Sequence, residues 1–315
     1  MRVLITGVSG FAGSHLADTI LHQAACQVWG VVRQAAPGLP AEVQQIEGDL
    51  RDLAAVGRVL DTVAPDLVFH LAAQAYVPVS WRDPWATLET NIHAQVNLLA
   101  ALVERRASTR ILVVGSETEY GVVRPEDMPV DEDTPLRPIS PYAVSKIAQD
   151  MLGLQYFLSH QVQAVRVRPF PHIGPRQKPD YVAASWARQI AEIEAGRREP
   201  VLRVGNLAVA RDYTDVRDVV RAYWLLLQHG TPGEVYNIGT GVARPVQSLL
   251  DILLGLSYVP IRVEVDPQLF RPADVTVTVC DASRLRAATG WEPLIPFEQT
   301  VRDILDDWRG RVKAS

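Results

Sequence analysis

Apolar residues along the first half of the chain fall alternately into short continuous runs and into longer stretches with helical spacing. Short runs are typical of strands buried on both faces, whereas helical spacing is typical of amphipathic helices. The pattern predicts strands at residues 3–6, 28–32, 44–47, 66–71, 110–114 and 162–167. It predicts helices at residues 11–23, 53–63, 85–105 and 141–159. This alternation favours an α/β fold with a doubly wound parallel sheet and helices on both faces.

The second half of the chain is less regular and predicts a separate, smaller α/β unit. Helical spacing occurs at residues 181–195, 215–227, 246–254, 282–288 and 298–308, and strand-like runs occur at residues 201–204 and 235–238. Prolines and a glycine interrupt the pattern near residues 170–175. We expect a first domain over residues 1–170 and a smaller C-terminal substrate-binding domain over residues 171–315, with the chain crossing between them more than once.

Composition and charge exclude several classes of protein. The chain has 315 residues, of which 48% are hydrophobic and 21% are charged, as expected for a globular protein of about two domains. A net charge of −5 without a basic stripe argues against nucleic-acid binding. Cys26 and Cys280 lie in apolar runs without metal-ligand spacing, so we expect reduced thiols and no metal site.

The sequence also lacks the signals of membrane insertion and secretion. No apolar run approaches the roughly 20 residues that span a bilayer. The N-terminal residues reach a glycine-rich loop too soon for the apolar core of a signal peptide. We expect a cytoplasmic protein without a membrane partner.

Residues 6–13, TGVSGFAG, form that glycine-rich loop between the first predicted strand and the first predicted helix. Gly7, Gly10 and Gly13 would let the backbone approach a pyrophosphate, and the helix N-terminus would supply N–H donors and a partial positive charge. The loop therefore predicts a Rossmann-type dinucleotide site. The alternative is a tight turn that needs glycine for packing alone.

The end of the second predicted strand indicates which dinucleotide is bound. Folds of this type that prefer NAD place an acidic side chain there, to bind the ribose 2′-hydroxyl. Arg33 stands at this point instead, and an arginine can hold a 2′-phosphate, so NADP(H) is favoured and NAD(H) is the alternative. Asp49, after the third strand, is a candidate partner for the adenine amino group; the alternative is a helix N-cap or turn residue.

Three residues have the types and spacing of a proton-transfer site. Tyr142 and Lys146 lie four positions apart on one predicted helix, so both face the same side. A cation beside a phenol lowers its pKa, and a phenol so tuned can exchange a proton near neutral pH. Ser116 follows a strand at the edge where the ligand crevice of a doubly wound sheet opens, and its hydroxyl can bond a substrate carbonyl. We expect all three to be catalytic.

In this order, the glycine loop, the serine and the Tyr-x-x-x-Lys pair resemble the short-chain dehydrogenase/reductase superfamily. The TGxxGxxG form, the chain length and the large C-terminal part resemble its extended, nucleotide-sugar-modifying branch over nearly the whole chain. The resemblance implies a homodimer, joined by a four-helix interface that residues 85–105 and 141–159 build. The residues expected to contact the cofactor are Gly7, Ser9, Gly10, Phe11, Ala12, Gly13, Arg33, Asp49, Leu50, Leu71, Ala72, Ala73, Tyr142 and Lys146.

Three further stretches, residues 70–84, 168–177 and 205–213, resemble the GDP-mannose members of this branch. The implied substrate is a GDP-linked sugar, and the guanidinium fork of Arg211 or Arg271 suits its phosphates. The alternative for either arginine is a surface salt bridge. At the position of Pro171 the family usually has asparagine, and proline lacks both the side-chain amide and the backbone N–H. The residues expected to contact the substrate are Gln74, Ser116, Glu117, Thr118, His172, Arg211 and Arg271.

The resemblance leaves the reaction open between a reductase and a dehydratase. The dehydratases place a glutamate two positions after the catalytic hydroxyl, where this chain has Thr118. Their glycine loop carries Gln-Asp where this chain has Phe11 and Ala12. Both differences favour reduction of the C4 ketone of a GDP-4-keto-6-deoxyhexose over a GDP-mannose 4,6-dehydratase or a nucleotide-sugar 4-epimerase. A non-catalytic dinucleotide-binding regulator is a more remote alternative, because such proteins often lose part of the catalytic set.

Overall fold

The chain folds into alternating strands and helices. The computed structural model describes residues 1–23, 25–270 and 277–314. The strands in these residues are β1 (Arg2–Thr6), β2 (Gln27–Val32), β3 (Gln44–Glu47), β4 (Leu67–His70), β5 (Arg110–Val114), β6 (Gln163–Pro169), β7 (His172–Ile173), β8 (Val201–Val204), β9 (Ala210–Asp212), β10 (Thr214–Asp215), β11 (Val235–Ile238), β12 (Ala243–Pro245) and β13 (Arg262–Val265). The α-helices are α1 (Phe11–Gln23), α2 (Leu53–Val63), α3 (Val77–Arg82), α4 (Pro84–Leu88), α5 (Ala94–Glu104), α6 (Pro141–His160), α7 (Val182–Glu194), α8 (Val216–His229), α9 (Val246–Gly255), α10 (Ser283–Thr289) and α11 (Phe297–Ala314).

Seven of the described strands form one parallel sheet, in the order β3-β2-β1-β4-β5-β6-β11. The chain adds strands first on one side of β1 and then on the other, so the order reverses between β1 and β4. In a doubly wound sheet this reversal opens a crevice at the carboxyl ends of the strands. Thr6 of β1 lies opposite His70 of β4, so both strands end at that crevice. The predicted Rossmann-type fold class is confirmed.

The strands of this sheet are apolar throughout because helices cover both of its faces. Successive side chains of a strand point to opposite faces. Val3 and Ile5 of β1 accordingly pack with α1 and α8, whereas Leu4 packs with α2 and α5. All three side chains are fully buried, and burial of each stabilises the fold by about 1.5–3 kcal/mol.

A second, smaller core lies in the C-terminal half of the chain. Helices α7, α9 and α11 pack on β8 through buried apolar residues that include Trp186, Leu249 and Ile304. Two elements of this half, α8 and β11, belong to the parallel sheet and its core rather than to this second core. We call the parallel sheet with its covering helices one lobe and the second core the other lobe. The domain boundary near residue 170 stays a prediction.

The predicted helix at residues 85–105 is interrupted in the middle by a π-helical segment. A π-helical segment, Glu89–His93, joins α4 to α5. Within it Asn91 is fully buried, and its Oδ1 accepts from Gln74 N at 2.7 Å. Its Nδ2 donates to Ser145 Oγ of α6 at 2.9 Å. The wide turn, a feature often found at functional sites, therefore connects the loop after β4 with helix α6.

The two cysteines are free thiols. Cys280 is buried and Cys26 is partly buried. Within the described ranges, no group of three or more His, Cys, Asp and Glu side chains is arranged to hold a metal ion. Across the same ranges, no helix combines the length and the apolar character that a membrane span requires.

Candidate active site

The carboxyl ends of the parallel strands open into a cavity of about 1040 Å³. Its inner wall consists of the glycine loop, the turns after β4 and β5, and the start of α6. Its outer wall consists of residues from α7, β8 and β9, so both lobes contribute to it. The predicted site residues that line the cavity are Gly7, Gly10, Phe11, Ala12, Gly13, Leu71, Ala73, Ser116, Glu117, Thr118, Tyr142, Lys146, His172 and Arg211.

The glycine loop packs so closely that side chains do not fit within it. Gly7 has a φ of +71°, in the left-handed region, and a Cβ on it would lie 2.9 Å from Ala72 N. A Cβ on Gly13 would lie 2.2 Å from the carbonyl oxygen of Gly7. Gly10 is exposed and lines the cavity just before the start of α1. This cradle fits a dinucleotide, because the N–H groups at the start of α1 can bind its pyrophosphate oxygens.

Several other predicted cofactor residues lie outside the described cavity wall. Ser9 and Arg33 are exposed, and Leu50 is buried. The carboxylate of Asp49 is engaged by Arg51, whose Nη2 lies 2.7 Å from Oδ2. These hydrogen bonds lower the pKa of Asp49 to about 2. The structure therefore places Asp49 in a local ion pair at a turn, with a cation that the sequence did not indicate.

The hydroxyl of Ser116 is oriented by its neighbour in the turn after β5. Ser116 Oγ accepts from Thr118 N at 3.2 Å and from Thr118 Oγ1 at 2.9 Å. A serine oxygen has two acceptor sites and one proton, so its acceptor sites are filled and its proton stays available for donation. Ser116 is also hydrogen-bonded to the hydroxyl of Tyr142. The two hydroxyls therefore meet at one point of the cavity.

Helix α6 presents Tyr142 and Lys146 on one face. Ser140 caps the N-terminus of the helix, because its Oγ accepts from Ala143 N at 3.1 Å. Lys146 Nζ lies 5.9 Å from the ring centroid of Tyr142 and donates to Val114 O at 2.9 Å. The first residues of α6 therefore bring the phenol and the ammonium against the end of β5.

Burial, rather than the neighbouring cation, dominates the proton affinity of the tyrosine. Burial raises the pKa of Tyr142 above its usual value, and the hydrogen bond with Ser116 opposes that shift. Burial lowers the pKa of Lys146 to about 8, and the charge of Glu119 opposes that shift. The net shift is therefore upward, because burial outweighs the opposing contributions, and the lowering of the Tyr142 pKa by Lys146 stays a prediction. A phenol with a raised pKa keeps its proton, which suits a group that donates one.

Two glutamates in the turn after β5 face opposite ways. Glu117 lines the cavity, and burial raises its pKa to about 7 although Arg211 opposes the shift. Glu119 is fully buried and faces the protein. Its Oε1 accepts from Ser116 N at 2.7 Å, and its Oε2 accepts from Arg168 Nε at 3.1 Å. Of the two carboxyl groups, the one on Glu117 is placed to meet a substrate.

His172 lies where the two lobes meet. Its ring stacks on Phe11, with the ring centroids 5.9 Å apart and the planes 5° from parallel. Its Nδ1 donates to Phe170 O at 3.1 Å, and burial lowers its pKa, so the ring is neutral. Pro171, which lies between Phe170 and His172 in the chain, also lines the cavity. The stack therefore connects the start of α1 with the segment at which the substrate was expected to bind.

Two predicted substrate contacts have a different outcome. Gln74 Nε2 donates to Thr87 Oγ1 at 3.0 Å, and Gln74 Oε1 accepts from Tyr76 N at 2.6 Å. Its amide is engaged in holding the turn after β4, and it is not part of the described cavity wall. The structure thus does not bring Gln74 to the substrate side. Arg271 lies outside the described residues.

The outer wall carries polar residues that sequence reasoning missed. With Arg211, three further arginines line this wall, and guanidinium groups suit phosphates. They come from α7, from β8 and from the loop between these two elements, and the one on α7 and the one in the loop pair with Glu192. No local motif marks any of them, although residues 205–206 were part of a stretch already singled out. The missed residues of this wall include Tyr181, Arg188, Gln189, Arg198, Arg203 and Asn206.

Comparison with known proteins finds similarity along nearly the whole chain. A family model described as GDP-mannose 4,6 dehydratase matches residues 4–304. GDP-6-deoxy-D-mannose reductase of Pseudomonas aeruginosa is 38% identical over 312 residues, which cover 99% of this chain and 98% of that protein. The structure of RMD from Pseudomonas aeruginosa complexed with NADPH matches with a TM-score of 0.85 at 37% identity, over 98% of this chain and 99% of the other. The UDP-glucose 4-epimerase of Thermus thermophilus, in complex with NAD, matches with a TM-score of 0.87 at 31% identity, over the same shares.

Proposed function

The chain belongs to the GDP-mannose 4,6 dehydratase family, and we propose that within this family it acts as a reductase. The proposed reaction is the NAD(P)H-dependent reduction of the C4 ketone of a GDP-4-keto-6-deoxyhexose to a GDP-6-deoxyhexose. The similar Pseudomonas protein is named GDP-6-deoxy-D-mannose reductase. The observation that carries the proposal is Thr118, which stands where the dehydratases place a glutamate and whose hydroxyl bonds Ser116.

Three side chains supply what this reduction needs from the protein. When bound beside them, NADPH supplies a hydride for C4. The Tyr142 hydroxyl donates its proton to the oxygen at C4 as that oxygen gains negative charge. The Ser116 hydroxyl, kept a donor by Thr118, hydrogen-bonds the same oxygen. The Lys146 ammonium stabilises the phenolate left on Tyr142. One hydride and one proton convert the carbonyl into a secondary alcohol.

The cofactor assignment rests on the glycine cradle and on a small charged cluster beside it. Arg51 pairs with Asp49 after β3, and the charge of Arg33, after β2, also lowers the pKa of that carboxylate. The positive charge of Arg33 suits a ribose 2′-phosphate and favours NADPH, with NADH as the alternative. Among the similar structures, RMD is complexed with NADPH and the Thermus epimerase with NAD.

The same turn argues against the dehydratase reaction. A 4,6-dehydratase has to remove the proton at C5 and expel the C6 hydroxyl, which requires an acid–base group besides the tyrosine. The Thr118 hydroxyl cannot serve, because it does not titrate near neutral pH and is bonded to Ser116. Glu117, whose pKa burial raises to about 7, is the residue that a dehydratase would have to use instead.

The reaction is tested by following NADPH oxidation by absorbance, with enzymatically prepared GDP-4-keto-6-deoxy-D-mannose as substrate. GDP-mannose without reductant is incubated in parallel and analysed for a 4-keto product. We expect NADPH consumption with the keto sugar, and NMR of the product gives the configuration at C4. A keto product from GDP-mannose alone would replace the reductase with a dehydratase. Inversion at C4 of a nucleotide sugar without added reductant would identify an epimerase.

We further propose that the chain forms a homodimer through α6 and its neighbour α4. Val144, Met151 and Leu158 recur every seven residues on α6 and are exposed. Trp85 of α4 is 76% exposed. An exposed apolar stripe with this spacing is typical of a helix that packs against another helix. The double variant Met151→Glu/Leu158→Glu should elute as a monomer in size exclusion with light scattering, whereas Val242→Glu, at an exposed site elsewhere, should not.

A cytoplasmic location is part of the same proposal. The two cysteines are unpaired thiols, and a reducing compartment keeps thiols in this state. Fractionation of cells that produce a tagged chain should recover the protein and its NADPH-dependent activity in the soluble fraction. Recovery in the membrane or periplasmic fraction would contradict this location.

A further inference from the structure

A buried carboxylate lies on the strand that carries Arg211 to the cavity. Asp212 of β9 is fully buried. Its Oδ1 accepts from Thr240 N at 2.9 Å and from Thr240 Oγ1 at 2.5 Å. Its Oδ2 accepts from Gly241 N at 2.8 Å and from Cys280 N at 3.1 Å. We call this carboxylate and its three donor residues the Asp212 clamp, because it joins three segments that are far apart in the chain.

The chain around β9 alternates between the cavity and the protein interior. Val209, Arg211 and Tyr213 line the cavity, whereas Asp212 is not part of the described cavity wall. Successive side chains of a strand point to opposite faces, so Asp212 points away from the cavity where Arg211 points into it. The place of the Asp212 carboxylate therefore sets the direction of the neighbouring arginine.

The Asp212 clamp also connects the two lobes. Val209 and Tyr213 belong to the second core, so β9 is part of that lobe. Thr240 and Gly241 follow β11, which is the edge strand of the parallel sheet in the other lobe. Their hydrogen bonds to Asp212 hold the outer wall at a fixed place relative to the parallel sheet, and therefore relative to the catalytic side chains at the ends of its strands.

The turn after β11 is shaped to receive this carboxylate. A Cβ on Gly239 would lie 2.4 Å from Cys280 Cβ and 3.1 Å from Asp212 Oδ2, so glycine leaves space there. Gly241 has a φ of +82°, in the left-handed region, which lets its N–H point to the carboxylate together with that of Thr240. Successive backbone N–H groups that converge in a turn suit a negatively charged group. Three consecutive residues of the turn therefore serve one side chain.

We propose that Asp212 is a positioning residue, which holds β9 so that the guanidinium group of Arg211 meets the diphosphate of a bound nucleotide sugar. Arg211 Nη1 donates to Ala210 O at 2.9 Å, so the guanidinium group stays close to the strand and follows its position. A guanidinium pairs with phosphate in a fixed geometry, so a small shift of the strand weakens that pairing. The inference rests on the proposed function, because it assigns Arg211 to the phosphates of a GDP-linked substrate.

The first test measures binding of the nucleotide without turnover. An asparagine amide has one acceptor oxygen and one donor group, so either orientation of Asp212→Asn places N–H donors against donors of the clamp. Asp212→Asn should therefore raise the Kd for GDP about 10-fold, while the Kd for NADPH changes less than about 2-fold. Calorimetry measures both constants. A Kd for GDP that changes less than about 3-fold in folded Asp212→Asn would overturn the proposal.

A double-variant cycle separates an effect through Arg211 from any other effect. In the Arg211→Met background, Asp212→Asn should add less than about 2-fold to the Kd for GDP, because the group that it positions is already absent. Effects of the two changes that multiply would show that Asp212 acts on binding by another route, and would refute the proposal.

Asp218→Asn is the matched control. Asp218 of α8 is also buried, and its Oδ2 accepts from Leu294 N and Ile295 N, each at 2.9 Å. It lies outside the described cavity wall. Asp218→Asn should lower the urea midpoint of unfolding, as Asp212→Asn does, and leave the Kd for GDP unchanged. An equal loss of GDP binding in both variants would mean that destabilisation alone weakens binding, and would exclude a specific role of Asp212.

A milder variant serves if Asp212→Asn does not fold. Thr240→Val keeps a side chain of similar shape and removes the hydroxyl that donates to Asp212 Oδ1. It should raise the Kd for GDP about 3-fold, the loss expected for one hydrogen bond of the clamp. An unchanged Kd in Thr240→Val, beside a raised Kd in Arg211→Met, would count against the clamp.

The second test measures turnover. Asp212→Asn should raise the KM for GDP-4-keto-6-deoxy-D-mannose about 10-fold and lower kcat less than about 3-fold, because a binding interaction is lost while Ser116, Tyr142 and Lys146 stay in place. A fall in kcat with an unchanged KM would place the effect on the reacting groups and would contradict the proposal.

The two tests separate failure of this inference from failure of the proposed function. If the unaltered protein binds GDP but reduces no GDP-keto sugar, the proposed function fails, and the Kd series still decides the role of Asp212. If UDP or dTDP binds in place of GDP, the same series is measured with that nucleotide. If none of the three binds, Arg211 does not hold a nucleoside diphosphate and the inference fails, whereas the NADPH oxidation assay decides the proposed function independently.

Discussion

The two walls of the cavity are built in different ways. The inner wall offers backbone: Gly7, Gly10 and Gly13 leave a bare surface and expose the N–H groups at the start of α1. The outer wall offers long charged side chains, among them Arg203 and Arg211 on the short strands β8 and β9. The glycine loop binds a ligand through close approach and backbone N–H groups. The outer wall binds a ligand through charge-assisted hydrogen bonds from its arginines.

The difference shows which changes each wall tolerates. The glycine loop is closely packed, so we expect an added methyl group to weaken NADPH binding more than a change of charge beside the loop does. On the outer wall, we expect the loss of a charge to weaken binding of the GDP-sugar more than a change in side-chain size does. Ser116, Tyr142 and Lys146 also line the cavity, and in the proposed reaction they act on the C4 oxygen.

The largest expected effect is at Tyr142. Tyr142→Phe should lower kcat about 10²- to 10⁴-fold, because the proton donor is lost, while the Kd for NADPH changes less than about 3-fold. Steady-state kinetics and fluorescence titration measure the two quantities. Tyr156→Phe, on the same helix but outside the described cavity wall, should keep full activity. An unchanged kcat in Tyr142→Phe would remove the tyrosine from the mechanism.

The inner wall should fail when a methyl group is added. Gly13→Ala places a Cβ 2.2 Å from the Gly7 carbonyl oxygen, so we expect the Kd for NADPH to rise at least about 10-fold. The overpacking should also lower the free energy of unfolding by about 1–3 kcal/mol. Calorimetry and chemical denaturation measure both. Gly255→Ala, whose Cβ would meet no atom within 4 Å, is the control and should bind NADPH normally.

The outer wall should fail when a charge is removed. Arg211→Met should raise the KM for the GDP-sugar about 10-fold, which is the loss expected for one charge-assisted hydrogen bond to phosphate. The Kd for NADPH should stay the same, because the inner wall is untouched. Arg262→Met removes a cation that pairs with Glu264 on β13 and should leave KM unaltered. Equal loss of NADPH binding in Arg211→Met would refute the separation of the two walls.

The smallest expected effect is a pH-dependent gain in stability at Glu117. Because burial raises its pKa from 4.5 to about 7, the folded chain binds more protons than the unfolded chain between these values. Stability is therefore lost as the pH rises through this window. Glu117→Gln removes the cost and should raise the free energy of unfolding by about 1 kcal/mol at pH 8, with little change at pH 4. Urea denaturation at both pH values measures it, and a gain that is equal at both would contradict the assignment.

Much of the inner wall was predictable because its parts are consecutive in the chain. The glycine spacing, the cap at Ser140 and the i, i+4 pair of Tyr142 and Lys146 are local patterns, and local backbone geometry is enough to place them. The roles of Gln74 and Asp49 were harder to predict, because a polar side chain at the end of a strand can bond either a ligand or a neighbouring residue. In the structure their neighbours, Thr87 and Arg51, hold them.

The proton affinities at the site could not be derived from spacing. The sequence places a cation near Tyr142, but burial depends on how α6 packs against the end of β5, and burial outweighs the contributions that oppose it. The same holds for Glu117 and Glu119, which are two positions apart. One lines the cavity and the other pairs with Arg168, a partner 49 residues away.

The order of apolar and polar residues was sufficient to specify the alternating elements and the parallel sheet, and local motifs predicted the dinucleotide loop and a candidate set of catalytic side chains. These features depend on hydrophobic periodicity and on contacts within a few residues, which any stretch of chain carries in its own sequence. The outer wall, the pairing of Arg168 with Glu119 and the protonation of the buried groups depended on packing, because desolvation and long-range ion pairs arise only when distant segments meet.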